Sequence, residues 1–132
     1  MGAGRMGRPM VARLVDAGHD VGALGTGQTT KLLNNLLFTA NLGTAATALS
    51  LAEGLGVSSE RLIEVVSRGS GNSFALNALG GIGGLERLAD LAGTLLQKDV
   101  RLIVELAERA AVRGGAVLDA ADATLALMGH PR

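Results

Sequence analysis

The sequence contains no cysteine, two histidines and only two aromatic residues among its 132 residues. Without cysteine it can form no disulfide, no thiolate metal site and no cysteine nucleophile. The two histidines, His19 and His130, stand too far apart in the chain to suggest a zinc site, and we expect no bound metal. With so few aromatic side chains the core must be aliphatic. The hydrophobic content of 48% is enough to build a sizeable one.

The chain also lacks an excess of either charge. Twelve basic side chains balance twelve acidic ones, and no basic cluster stands out. This balance argues against nucleic acid or an anionic membrane surface as a partner. The N-terminal residues are rich in glycine and arginine and have no apolar core, so they do not resemble a secretory signal. We therefore expect a cytoplasmic protein.

One segment, residues 32–52, has no charge over 21 positions, about the length of a membrane span. It contains seven polar side chains that lipid would not satisfy, namely Asn34, Asn35, Thr39, Asn41, Thr44, Thr47 and Ser50. A helix buried in a soluble helical assembly fits this composition better, and a membrane hairpin is the last of the alternatives. Because a chain of this size cannot cover the segment on all sides, we expect a homodimer in which it forms much of the contact.

The sequence pattern predicts a nearly all-helical chain. Helices are expected over residues 6–17, 28–53, 58–66, 85–113 and 116–128, with a short strand at 21–24. Ser58 is the expected N-cap of the third helix, and Gly93 is a point at which the fourth could break. The glycine-rich residues 70–84 are predicted to form a loop, where Asn72 and Ser73 could meet a substrate.

Lys31 and Asn35 begin the uncharged segment four residues apart, so on a helix they lie on one face. An ammonium and a carboxamide held together on an apolar wall can bind and protonate a small oxyanion or alcohol. This pair is the one place in the chain where the residue types alone make chemistry plausible.

The predicted fourth helix separates two neighbouring charged residues. Lys98 falls on a solvent-facing stripe with charged residues of both signs. Asp99 falls among the apolar residues Leu96, Ile103 and Leu106. Because burying a lone carboxylate is costly, Asp99 requires a hydrogen-bonding or cationic partner. We favour a packing role for Asp99 over a catalytic one.

The chain opens with a glycine motif, in which Gly2, Gly4 and Gly7 have the G-x-G-x-x-G spacing. In dinucleotide sites this spacing allows a tight turn and aims helix N-terminal amides at a pyrophosphate. The usual context is incomplete, since only Met1 precedes the motif and no acidic residue follows about 20 positions later.

Three segments together resemble the β-hydroxyacid dehydrogenase family, and in particular its 3-hydroxyisobutyrate dehydrogenase branch. Residues 2–21 look like the family's opening, and residues 22–35, which include Lys31 and Asn35, look like the entry to its helical C-terminal domain. Residues 95–102 resemble its Lys-Asp helix. Asn34, in place of a histidine, disfavours the 6-phosphogluconate branch, and the presence of Lys31 disfavours the imine reductases. The absence of a terminal Asn-Gln disfavours the tartronate semialdehyde reductases.

The resemblance implies an oxidoreductase that uses NAD or NADP to transfer a hydride to or from a small 3-hydroxyacid. Lys31 would transfer the proton, Asn35 would orient the substrate and Lys98 would lie near the cofactor. The glycine turn, formed by Gly2, Gly4, Arg5, Met6 and Gly7, would contribute to cofactor binding.

Most of the family's Rossmann domain has no counterpart between residues 21 and 22. The resemblance thus implies a mainly α fold: residues 1–21 as a β-α remnant of the dinucleotide-binding domain, and residues 22–132 as a helical domain of 6-phosphogluconate dehydrogenase-like architecture. A true deletion and an omission from a longer chain are both open. The 132 residues alone would bind cofactor no better than millimolar and be inactive. The alternative function is a non-catalytic helical dimerisation module that retains family residues.

Overall fold

The computed structural model describes residues 24–132, and all regular structure in this range is α-helical. The helices are α1 Leu24–Gly54, α2 Ser59–Val66, α3 Phe74–Ile82, α4 Leu85–Ala110 and α5 Gly115–Leu127. The predicted mainly α fold is thereby confirmed. The predicted N-terminal helix, the glycine motif and the proposed domain boundary at residue 21 lie outside the described residues.

The long helix α1 is the centre of the assembly. It contacts each of the other four helices, α5 and α4 most extensively. The residues that meet at these contacts form the hydrophobic core and are almost all aliphatic, as predicted. Leu42 of α1 and Leu125 of α5 are fully buried in this core. Phe38, half-buried, is the aromatic residue that packs against this core, and its ring lies 5.8 Å from that of Phe74.

Three threonines in the uncharged segment of α1 are satisfied within their own helix. The hydroxyls of Thr39, Thr44 and Thr47 each donate to the carbonyl four residues earlier, at 2.7–2.9 Å. For these residues the argument that lipid could not satisfy them was wrong, because helical geometry supplies the acceptor locally. Among residues 24–132 no helix combines the length and the hydropathy that crossing a bilayer requires.

Helix α1 begins earlier than predicted, at Leu24. Leu24 therefore does not belong to the predicted strand, whose other residues are outside the described range. Gly25 and Gly27 lie within the helix, although each glycine costs about 1 kcal/mol of helix propensity. Gly27 is buried, which indicates that tertiary packing outweighs that cost.

The short helix α2 follows the prediction closely. Ser58 is its N-cap, with extended backbone, and its hydroxyl accepts from the Arg61 N–H at 3.1 Å. The helix ends at Val66, as expected.

The predicted loop over residues 70–84 was wrong, because nine of these residues form α3. Ser73 caps it by accepting from the Leu76 N–H at 3.0 Å, and Gly83 ends it with a positive φ of 95°. Leu76 and Leu79 are buried, on the side that faces the core. Their burial offsets the low helix propensity of the glycines that follow.

Helix α4 runs through Gly93 without a break and ends three residues short of the predicted position, at Ala110. A Cβ at residue 93 would lie 2.5–2.6 Å from atoms of the His130 ring, so glycine is needed there for packing. The chain end is held beside α4 and α5. Gln97 donates to the Pro131 carbonyl at 2.7 Å, and Arg132 pairs with Asp122 at 2.7 Å. This hydrogen bond raises the pKa of Arg132.

Candidate functional site

The structure joins two of the motifs singled out in the sequence through a single hydrogen bond. Asn35 of α1 donates through Nδ2 to Oδ2 of Asp99 on α4 at 2.6 Å, across 64 residues of sequence. Asp99 is 3% exposed and Asn35 is half-buried. The expectation that Asp99 requires a partner is confirmed, and the partner is the carboxamide predicted to orient a substrate.

A second contact extends this pair along α1. Asn34 Nδ2 donates to Asn35 Oδ1 at 3.3 Å, and the Asn35 main-chain carbonyl accepts from the Thr39 hydroxyl at 2.7 Å. The hydrogen bonds run in one direction, from Asn34 through Asn35 to Asp99. We call these three side chains the Asn34–Asn35–Asp99 chain.

Lys31 lies one helical turn before Asn35 and is half-buried. Its ammonium forms no hydrogen bond or ion pair with any other described residue. Helical geometry places it on the same face of α1 as Asn35. A half-buried lysine that forms no ion pair with any residue from 24 to 132 can approach a small oxygen-containing ligand without first breaking a salt bridge to that part of the chain.

Lys98 is exposed on α4, next to Asp99 in sequence, as its position on the wheel predicted. It also lacks an ion pair within residues 24–132. Leu91, Leu95 and Leu102, on the same side of α4 by helical spacing, are 38–69% exposed. The second lysine therefore stands on a partly apolar exposed surface.

Two grooves border the N-terminal half of α1, and neither contains the lysine–asparagine pair. One, of about 410 Å³, lies against α4 and is lined by residues including Gln28 and Arg109. The other, of about 420 Å³, reaches α5 and has an almost wholly apolar lining that includes Leu33 and Leu36. Lys31 and Asn35, both half-buried, line neither of these two grooves.

The loop residues suggested as substrate contacts have structural partners. The Asn72 side-chain oxygen accepts from Asn77 at 2.9 Å, and Ser73 caps α3. The glycine-turn residues Gly2, Gly4, Arg5, Met6 and Gly7 lie outside the described residues. Among residues 24–132 no cluster of histidine, aspartate and glutamate could hold a metal ion.

Sequence reasoning missed that Asn35 and Asp99 touch. Each was recognised separately, one as a site residue and one as a buried carboxylate without a partner. The sequence did contain a signal for this contact, since a buried carboxylate requires a hydrogen-bond donor and Asn35 is a polar residue on an apolar face. Pairing them needs the relative placement of α1 and α4, which no single helix specifies.

Comparison with known proteins identifies a family over most of the chain. The family model described as "NAD-binding of NADP-dependent 3-hydroxyisobutyrate dehydrogenase" matches residues 25–128. The match covers most of the chain, and the chain belongs to this family. The description confirms the resemblance found in the sequence, and it names both NAD and NADP as the family's cofactors.

Curated relatives match shorter stretches. The chain is 37% identical over 60 residues to 2-(hydroxymethyl)glutarate dehydrogenase of Eubacterium barkeri, covering 46% of this chain and 20% of that protein. It is 33% identical over 73 residues to probable 3-hydroxyisobutyrate dehydrogenases of Mycobacterium bovis and Mycobacterium tuberculosis, covering 55% of this chain and 25% of those proteins. The chain thus spans a quarter or less of these relatives' lengths. No solved structure matches it.

Proposed function

We propose that this chain supplies the helical, substrate-handling part of an NAD- or NADP-dependent dehydrogenase acting on a small 3-hydroxyacid of the 3-hydroxyisobutyrate type. The hydrogen bond between Asn35 and Asp99 is the observation that carries the proposal, because it joins one residue of the Lys31–Asn35 motif to one residue of the Lys98–Asp99 motif. Family membership over residues 25–128 is the second support.

In this proposal Lys31 is the proton-transfer group. Oxidation of the substrate alcohol removes a hydride from carbon and a proton from oxygen, and the nicotinamide, when bound, accepts the hydride. The neutral amine of a lysine can accept the alcohol proton in the oxidation, and the resulting ammonium can return it in the reverse reaction, if the side chain is free to approach the oxygen. Lys31 has that freedom with respect to the described residues.

Asn35 orients the substrate, and Lys98 faces the cofactor. A carboxamide beside the lysine can hydrogen-bond the substrate oxygen and align it for proton transfer. Lys98 is exposed and unpaired within residues 24–132, so it is able to meet an anionic group. The residues proposed for the pyrophosphate end, Gly2, Gly4, Arg5, Met6 and Gly7, lie outside the described range.

We further propose a cytoplasmic homodimer that associates through α1. Five exposed residues fall within an arc of about 60° along this helix, namely Leu33, Leu37, Thr44, Ala48 and Leu51. The three leucines are 45–65% exposed. Contiguous exposed apolar surface of this kind favours an interface. It is also the observation that favours the alternative function, a non-catalytic dimerisation module.

The test is an oxidation assay with 3-hydroxyisobutyrate and either NAD or NADP, made on the complete polypeptide that contains these residues. We expect turnover, with a preference for small 3-hydroxyacids over 2-hydroxyacids. A calorimetric titration of the 132-residue chain with NADH and NADPH is made beside it, and dissociation constants no better than millimolar are expected. A stable dimer of the complete polypeptide without turnover on any small hydroxyacid would establish the dimerisation module instead.

A further inference from the structure

We propose that Asp99 is a positioning residue that fixes the orientation of the Asn35 carboxamide and thereby decides which atom Asn35 offers to the substrate. This inference rests on the proposed function, in which Asn35 contacts a hydroxyacid. It starts from the contact of 2.6 Å between Asn35 Nδ2 and Asp99 Oδ2.

A carboxamide side chain can be turned over with little change of shape, which exchanges a hydrogen-bond acceptor for a donor. On an open surface both orientations of Asn35 would be accessible. A ligand would then have to select one of them, and its apparent affinity would fall by the fraction of molecules in the other.

Asp99 removes this freedom, because a carboxylate only accepts hydrogen bonds. The observed orientation places Nδ2 against Asp99, whereas the reverse would set two oxygens at hydrogen-bonding distance. Asp99 is 3% exposed, so water is poorly placed to relieve such a contact. Asn34 supports the same orientation, since its Nδ2 donates to Asn35 Oδ1.

The consequence is that Asn35 directs Oδ1 away from Asp99. A carbonyl oxygen has two acceptor sites, and Asn34 uses one of them. The other can accept the O–H of a substrate alcohol in the bound ground state, before rotation about the C–O bond turns that proton toward Lys31. Asn35 therefore prefers a ligand that donates a hydrogen bond, such as a hydroxyacid, over one with a carbonyl at the same place.

The decisive variant is Asp99→Asn. An asparagine at this position has nearly the same volume and can partner Asn35 in either orientation, so the contact between α1 and α4 remains while the orientation is no longer imposed. We expect the melting temperature to change little and KM for the hydroxyacid to rise about two-fold, because about half of the molecules then hold Asn35 in the other orientation. We expect kcat to be retained within about two-fold, since the proton path through Lys31 is unchanged.

The matched control is Leu96→Ala, on the same helix at the same exposure of 3%. It weakens α4 packing and leaves the hydrogen-bonding groups of Asn35 and Asp99 in place, so it should lower the melting temperature but leave KM unchanged. If Asp99 had a purely structural role, KM of Asp99→Asn would change only to the extent that its melting temperature changes. Equal KM for wild type and Asp99→Asn would overturn the proposal.

A second readout does not depend on turnover. In wild type the two Asn35 side-chain amide protons should give one distinct pair of NMR signals with slowed exchange. In Asp99→Asn that protection should be lost or the signals doubled, and in Leu96→Ala it should persist. Unchanged signals in Asp99→Asn would overturn the orientation claim. Protected signals in a wild-type protein that neither binds nor oxidises 3-hydroxyisobutyrate would instead overturn the proposed function.

Discussion

Gly43 of α1 and Thr124 of α5 meet in direct contact between helix backbone and side chain. The Gly43 N–H donates to Thr124 Oγ1 at 3.1 Å, and the same hydroxyl donates to the Ala120 carbonyl at 2.9 Å. Thr124 is fully buried. A Cβ on residue 43 would clash with Oγ1 and lie only 3.0 Å from the Thr124 Cβ. The absence of a side chain at Gly43 therefore sets how closely the two helices pack.

Gly43→Ala should destabilise the fold by about 1–3 kcal/mol, because overpacking at the crossing outweighs a gain in helix propensity of about 1 kcal/mol. Gly54→Ala is the matched control, at the end of the same helix with no atom near its would-be Cβ. Denaturant titrations should place Gly54→Ala within about 0.5 kcal/mol of wild type. Equal stability of the two variants would contradict the close crossing.

Gly93→Ala tests the packing of the chain end on α4. Helix propensity alone predicts stabilisation by about 1 kcal/mol. The clash with the His130 ring should instead cause a loss of stability. The ring cannot easily move away, because contacts of Pro131 and Arg132 hold this end of the chain in place. Thermal unfolding should therefore show Gly93→Ala to be destabilising in wild type but stabilising in a His130→Ala background. The same sign in both backgrounds would remove His130 as the reason for this glycine.

Leu37→Lys tests the homodimer, since it places a charge in the exposed apolar arc of α1, where Leu37 is 55% exposed. Sedimentation at micromolar concentration should show a wild-type dimer and a Leu37→Lys monomer. Leu127→Lys is the control, a leucine 57% exposed on α5, and it should remain dimeric. A wild-type protein that sediments as a monomer would contradict the prediction.

Prediction from the sequence succeeded where the cause of a structure is local. Ser58 caps α2 through an N–H three residues away, and the pattern that predicts this contact lies within one turn. The C-terminal end of α1, at Gly54, was likewise predicted to within one residue. Lys98 is exposed and Asp99 buried, as the helical wheel of α4 indicated.

Prediction failed where the cause is distant in sequence. Residues 74–82 form a helix because Leu76 and Leu79 reach the core, and their burial outweighs the local preference of the glycines. Gly93 appeared to be a helix breaker, because the ring that requires it belongs to His130, at the far end of the chain. The partner of Asp99 stayed unknown for the same reason.

The central claim is that Lys31 is the proton-transfer group, and replacing it tests this most directly. In the complete polypeptide Lys31→Ala should lower kcat by about 10²- to 10⁴-fold with cofactor affinity nearly unchanged. Lys31→Arg should also fail, since a guanidinium does not release its proton near neutral pH. Asn35→Ala should chiefly raise KM, because it removes positioning and not the proton path.

Lys98→Ala is the control, because Lys31 and Lys98 are the only lysines in the sequence. The decisive measurement is the ratio of kcat for Lys31→Ala to that of wild type, with Lys98→Ala assayed beside it. The account predicts a ratio of about 0.01 or lower for Lys31→Ala and a mainly cofactor-affinity effect for Lys98→Ala. A Lys31→Ala enzyme that keeps more than about a tenth of wild-type kcat would contradict the account and transfer the acid-base role to Lys98.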